Sequence, residues 1–184
     1  MQANKEITIT AKLLIKPTDE QKTMLLEAGR AFSKACNYVS GIVFETHNLN
    51  QISLQKQTYD TLRVVYDMPS QMACNVIRHV IGNYRTILTN EKEWIKLNFA
   101  HNTYPLSWNR DYQLHENYFS VGTLKGRVKL FYDDGGMEKY FDGTWRSERL
   151  KLLISMVNGI CIYLCQKSSS NCKILTFPTS SALT

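Results

Sequence analysis

Residues 5–21 read KEITITAKLLIKPTDEQ, and the architecture turns on this stretch. Ile7, Ile9, Ala11, Leu13 and Ile15 alternate with Thr8, Thr10, Lys12 and Lys16. A period of two places one face of a strand in a core. Leu14 breaks the alternation, so the end of the strand is expected to be buried on both faces. Pro17 stops the strand because proline has no N–H to give a ladder. Thr18, followed by Gln21, is a capping box, so a helix is expected to begin at once.

Behind the cap, Leu25, Ala28, Phe32, Ala35, Val39 and Val43 recur in steps of three and four, one apolar stripe of a helix. Residues 48–51 read as a break. Ser53 is expected to cap a second helix carrying Leu54, Leu62, Val65 and Tyr66. Pro69 punctuates, and Ser70 is expected to cap a third with Met72, Val76, Val80, Tyr84, Ile87 and Leu88. Residues 91–98 either extend it or start a short helix. From about Ala100 the chain is rich in Tyr, Trp, Val and Leu. Strands are expected at 118–121 and 127–132 around Leu124-Lys125-Gly126, with a turn at Asp133-Asp134-Gly135-Gly136.

A lone first strand must find its partners among the later ones, which leaves the helices as an insertion. The expected class is α+β: a small β-barrel or sheet interrupted by a helical bundle. The expected organisation is a first strand in 1–17, the bundle in 18–100, the remaining strands in 101–146 and an irregular tail in 147–184.

The chain has 184 residues, 43% hydrophobic and 21% charged, enough for a single core without staples. There is no apolar run of membrane-spanning length and no apolar leader, so a cytoplasmic protein with no membrane partner is expected. Five cysteines with no C-x-x-C pair argue against a zinc ribbon or a disulfide framework. His47, His79, His101 and His115 have no metal-ligand spacing, and no phosphate loop or nucleophile elbow occurs. Neither catalytic nor metal-ligating residues are assigned, and no cofactor is expected in this chain. A net charge of +6 and a pI near 9.0 suit nucleic acid.

The candidate contacts are polar and basic. Lys125, Arg127 and Lys129 alternate on the expected hairpin and can share one face toward phosphates, or form a plain solvated face. Gln71, Asn75 and Arg78 share one face of the third helix, where amides and Arg can read base edges. Asn37 belongs to a similar stripe with Arg30 and Lys34 on the first helix, and Tyr38 follows it.

Several strings, in order, resemble one family. Leu14-Ile15-Lys16-Pro17-Thr18 with Glu20-Gln21, and Ala35-Cys36-Asn37-Tyr38, resemble the start of TnpB/OrfB-type insertion-sequence proteins. Met68-Pro69-Ser70-Gln71 with Val76-Ile77-Arg78 and Asn83-Tyr84-Arg85 resembles their next helix. Phe119-Ser120 with Leu124-Lys125-Gly126-Arg127-Val128-Lys129-Leu130 resembles their hairpin, and Asp142-Gly143-Thr144-Trp145-Arg146 is also similar.

The family comprises transposon-encoded, RNA-guided DNA endonucleases related to type V CRISPR effectors. The resemblance implies a wedge-type β-barrel with an inserted, helix-turn-helix-like recognition bundle that binds guide RNA and target-adjacent double-stranded DNA. It covers the chain to Arg146. In the family a RuvC-like nuclease, using magnesium, and a zinc ribbon follow. This chain is therefore expected to bind without cutting. The oligomeric state is not indicated.

Beyond Arg146 the composition changes. Residues 1–146 hold 18 of the 22 Lys and Arg and 15 of the 16 Asp and Glu, whereas 147–184 hold seven Ser and three of the five Cys. Shifting the reading frame by one base changes the picture. Ser147 to Lys151 then permits Phe-Gly-Thr-Ala-Lys, Val157 to Leu164 permits Lys-Trp-Tyr-Leu-His-Ile-Pro, and Thr179 to Thr184 permits Val-Val-Gly-Ile-Asp. The last resembles the first RuvC motif. The tail is accordingly expected to be out of frame and poorly ordered, the chain being a frameshift-truncated TnpB-like protein. The alternative is a stand-alone DNA- or RNA-binding regulatory or accessory protein with a native tail.

Overall fold

Pro17 and Thr18 turn the chain from β1 (Thr8–Ile15) directly into α1 (Asp19–Thr46). The computed structural model describes residues 8–100, 103–115, 117–133, 145–155 and 159–168. Both arms of the capping box form. Gln21 N donates to Thr18 Oγ1 at 3.3 Å, and Thr18 N donates to Gln21 Oε1 at 3.1 Å. The Gln21 amide also donates to the Lys129 carbonyl at 2.9 Å, so the same residue that starts the helix fastens it to the sheet.

Two further helices follow, α2 (Gln51–Val64) and α3 (Ser70–Thr89). Their caps differ from the sequence expectation. Asn50, not Ser53, caps α2, its Oδ1 accepting from Ile52 N and Ser53 N at 3.0 and 3.1 Å. Asn and Ser are comparable caps, and here the earlier one is placed to start the turn. Pro69 occupies the cap of α3, with no side-chain hydrogen bond, so Ser70 is the first helical residue rather than the cap. The first-helix stripe from Leu25 to Val43 is wholly buried, as are Leu54, Leu62, Met72, Val76, Val80 and Tyr84. Val65 and Leu88, expected in the stripes, are 72% and 52% exposed, since each falls at a helix end beyond the reach of the partner helix.

Residues 91–98 are not helical. After the Asn90 cap, Glu91 takes a left-handed φ of 51°, and the chain runs back across α1 as a strap. Its polar groups are met one by one. Trp94 Nε1 donates to Phe44 O at 3.1 Å, Ser40 Oγ to Leu97 O at 2.7 Å and Leu97 N to Tyr84 Oη at 3.2 Å. Phe99 N donates to Asn37 Oδ1 at 2.7 Å, and Asn37 Nδ2 to Phe99 O at 3.1 Å.

The strap leads into β2 (Thr103–Ser107), β3 (Tyr112–Leu114), β4 (Tyr118–Thr123) and β5 (Gly126–Asp133). β3, β4 and β5 form an antiparallel meander, and β1 pairs with β5 through Ile15 opposite Tyr132. The first strand thus joins the later ones around the helical insertion, an α+β arrangement. Gly126 has φ 112°, a conformation open to glycine, at the point where the hairpin turn enters β5.

An irregular chain was expected from residue 147. Instead, β6 (Trp145–Ser155) and β7 (Gly159–Ser168) pair with each other. The register sets Leu150 opposite Leu164, Leu152 opposite Ile162 and Ile154 opposite Ile160. Apolar residues at every second position on both arms, a short connection apart, encode a hairpin locally. β7 pairs with β1 and β6 with β2, giving the strand order β2-β6-β7-β1-β5-β4-β3. Residues 169–184, where the RuvC-like frame reading falls, lie outside the described residues. Among the described residues, no helix is long and apolar enough to cross a membrane.

Tyr84→Phe tests the strap. The hydroxyl is buried, donates to Ser40 O at 3.2 Å and accepts from Leu97 N. Its removal is expected to cost about 1–3 kcal/mol in urea denaturation, with little change in helix content.

Candidate nucleic-acid interface

The polar face of α3 docks on the corner between β2 and β3. Asn75 is 6% and Asp111 8% exposed. Asn75 Nδ2 donates to Asp111 Oδ2 at 2.7 Å and more weakly to Pro105 O at 3.4 Å. The same carboxylate oxygen accepts Ser107 N at 2.8 Å. Asn75 Oδ1 in turn accepts from Gln71 Nε2 at 3.1 Å and Arg78 Nη1 at 3.3 Å. A carboxylate this buried is tolerable only with its hydrogen bonds made. Two strong donors on one oxygen meet that need.

The network extends outward to a basic rim. Arg110 Nη1 donates to Gln71 Oε1 at 3.1 Å. Arg127 donates to Arg110 O at 3.1 Å, to Ser120 Oγ at 2.9 Å and to Ser120 O at 3.0 Å. Arg78, Arg110 and Arg127 are all exposed, so three guanidinium groups are held in place around a buried hub. Gln71, Asn75, Arg78 and Arg127 are thereby brought together. Arg110 and Asp111 were missed by the sequence reading, because a turn residue gives no local signal that a helix will dock on it.

Beside the hub an open groove of about 490 Å³ runs between α3 and β2, lined by Arg78, His79, Gly82, Asn83 and Ser107 among others. A second cavity of about 220 Å³ adjoins it, sharing His79 and Asn83 and reaching Phe99 of the strap. Arg85, also exposed, lies one turn beyond Gly82 on the same side of α3 as Arg78.

The other candidates are placed differently. Asn37 spends its amide on the Phe99 backbone, so its role is to hold the strap. Tyr38 is half-buried with its ring 5.8 Å from that of Tyr66. Lys125 was expected to share a face with Arg127 and Lys129, but it sits in the two-residue turn and its Nζ is 2.9 Å from Glu27 Oε2. Both groups are well exposed, so the pair contributes little to stability. Arg127 and Lys129 do alternate outward, with Val128 between them and Leu130 after them buried.

Burial pushes the Tyr104 phenol well above its usual range, and the Asp111 carboxylate adds to the shift. It therefore stays a donor, to Gly122 O at 3.3 Å. Burial likewise pushes the Cys36 thiol up, which makes it a packing residue and no nucleophile. Among the described residues, no group of three or more His, Cys, Asp or Glu could hold a metal ion.

In comparisons with known proteins, no family model and no curated protein matches the chain.

Asp111→Ala leaves the Asn75 amide and Ser107 N–H without their acceptor and is expected to cost about 2–3 kcal/mol, read by thermal or urea unfolding. Gly82→Ala has the opposite sign. Nothing lies within 4 Å of the added Cβ, and the residue is mid-helix, so a gain of about 0.5–1 kcal/mol is expected.

Proposed function

We propose that the chain is a TnpB-like nucleic-acid-binding module, holding guide RNA and target-adjacent double-stranded DNA without cleaving them. The observation that carries this reading is the fixed array of Arg78, Arg110 and Arg127 around the Asn75–Asp111 hub, beside the open groove along α3. Guanidinium groups anchored through part of their donor set keep charge and further N–H groups for phosphate. A rigid basic rim positions a backbone, and the polar side chains of an adjacent helix can then meet base edges.

The wedge-type barrel belongs to this proposal. Its support is that β2 and β3, the two outer strands of the order, are consecutive in the chain and joined by the short turn at residues 108–111. The helical insertion would act as the recognition bundle.

Binding should depend steeply on salt. Changing Arg78, Arg110 and Arg127 together to Gln removes three charges while keeping an amide donor. The slope of log K against log salt for duplex DNA is expected to flatten by about 2–3. An unchanged slope would take these residues off the contact surface, and strand scission with magnesium would overturn the assignment of binding alone.

One observation favours the second reading, a stand-alone regulatory or accessory binder with a native tail. The β6–β7 hairpin pairs with β1 along Thr8–Ile15 and with β2, so residues beyond Arg146 belong to the sheet. Limited proteolysis separates the two. Protection of 147–168 is the outcome for a native hairpin; rapid loss, with the rest intact, is the outcome for an out-of-frame tail.

A further inference from the structure

The outer face of the β3–β4–β5 meander carries a row of rings. His115 N donates to Tyr118 O at 2.9 Å, and the two rings stack at 4.4 Å with 16° between their planes. Tyr118 lies opposite Phe131 in the register, with ring centroids 6.1 Å apart. Phe131 is 60% exposed although it is a large apolar side chain in mid-strand. Single exposed hydrophobics are common, but this one ends a run of three aromatic rings.

Cations flank the row. Lys129 Nζ sits 5.3 Å from the Tyr118 ring centroid. Arg127 precedes it at the next outward position of β5. On the far side, the exposed Lys16 donates its backbone N–H to Phe131 O at 3.3 Å. The outward positions of the meander include His115, Gln113, Tyr118, Ser120, Arg127, Lys129 and Phe131, and Asp133, the last residue of β5, takes the next alternate position after Phe131.

From this face we infer a binding platform for unpaired bases of single-stranded RNA, with Phe131 as the open stacking surface and Lys129, Arg127 and Lys16 along the phosphate track. Rings on a sheet face, interleaved with cations, match how splayed bases are held. A duplex keeps its bases stacked on one another and offers no ring to Phe131. The inference rests on the nucleic-acid reading above and names a second surface for it, which meets the rim of the α3 groove at Arg127.

The test uses the full chain and a short unstructured RNA carrying one 2-aminopurine. Binding is expected to change the fluorescence of the analogue as it stacks. Phe131→Ala should weaken RNA binding about tenfold or more and remove the fluorescence change. Phe131→Leu, which keeps apolar bulk without a ring, should behave like Ala. Because Phe131 is exposed, neither variant should alter unfolding, and duplex binding should be unaffected. Wild-type affinity and fluorescence response in Phe131→Ala would overturn the platform while leaving the groove reading intact. An equal, Phe131-dependent response with the deoxy oligomer would overturn the assignment to RNA. A dimer in sedimentation that Phe131→Ala dissociates would assign the face to a second copy instead. If the wild type binds no nucleic acid at all, both readings fall.

Discussion

The hydrogen bond between Asn75 and Asp111 joins two parts of the chain 36 residues apart. It ties α3 to the β2–β3 corner, as the Gln21–Lys129 bond ties α1 to β5. A buried carboxylate without partners would cost several kcal/mol, so its donors are in effect compulsory. One comes from α3 and one from the backbone at the end of β2. Satisfying Asp111 therefore fixes how α3 sits on the β2–β3 corner. The arginines inherit that geometry: Arg78 through Asn75, Arg110 through Gln71, and Arg127 through the Arg110 carbonyl.

A second constraint works at the other end of α3. The strap after Asn90 has no secondary structure of its own, and its backbone groups are met by Asn37, Ser40 and Tyr84. This holds Phe99 against His79, ring centroids 5.6 Å apart, and so forms one wall of the cavity that adjoins the groove. The groove is thus bounded by the carboxylate hub, and the cavity that adjoins it is walled by the strap.

What could be read from the sequence follows from the range of each interaction. The capping box spans three residues and the α1 stripe repeats every three or four, so both are visible in a short window. The pairing of β1 with later strands follows from its isolation. The hub could not be read, because Asn75 looks like one more residue of a solvated helix face until the β2–β3 corner is placed on it. Asn37 is likewise read from its own helix as part of a polar stripe, because its hydrogen-bond partner Phe99 is 62 residues away. Lys125 follows the alternation of the hairpin, but a turn residue answers to the turn, and Glu27 lies within reach. The β6–β7 hairpin is encoded by the alternation at 150–154 and 160–164, a local signal that the Ser- and Cys-rich composition of the tail obscures.

The most direct measurement is ultraviolet cross-linking of bound RNA to the full chain, with the adducts located by peptide mass spectrometry. Adducts on Tyr118, Phe131 and neighbouring residues of β4 and β5, and on α3 around Arg78, are expected. Adducts confined to α2, whose exposed Ile52 and half-buried Tyr59 lie on a different surface, would contradict the assignment, as would RNA that leaves the protein unmodified.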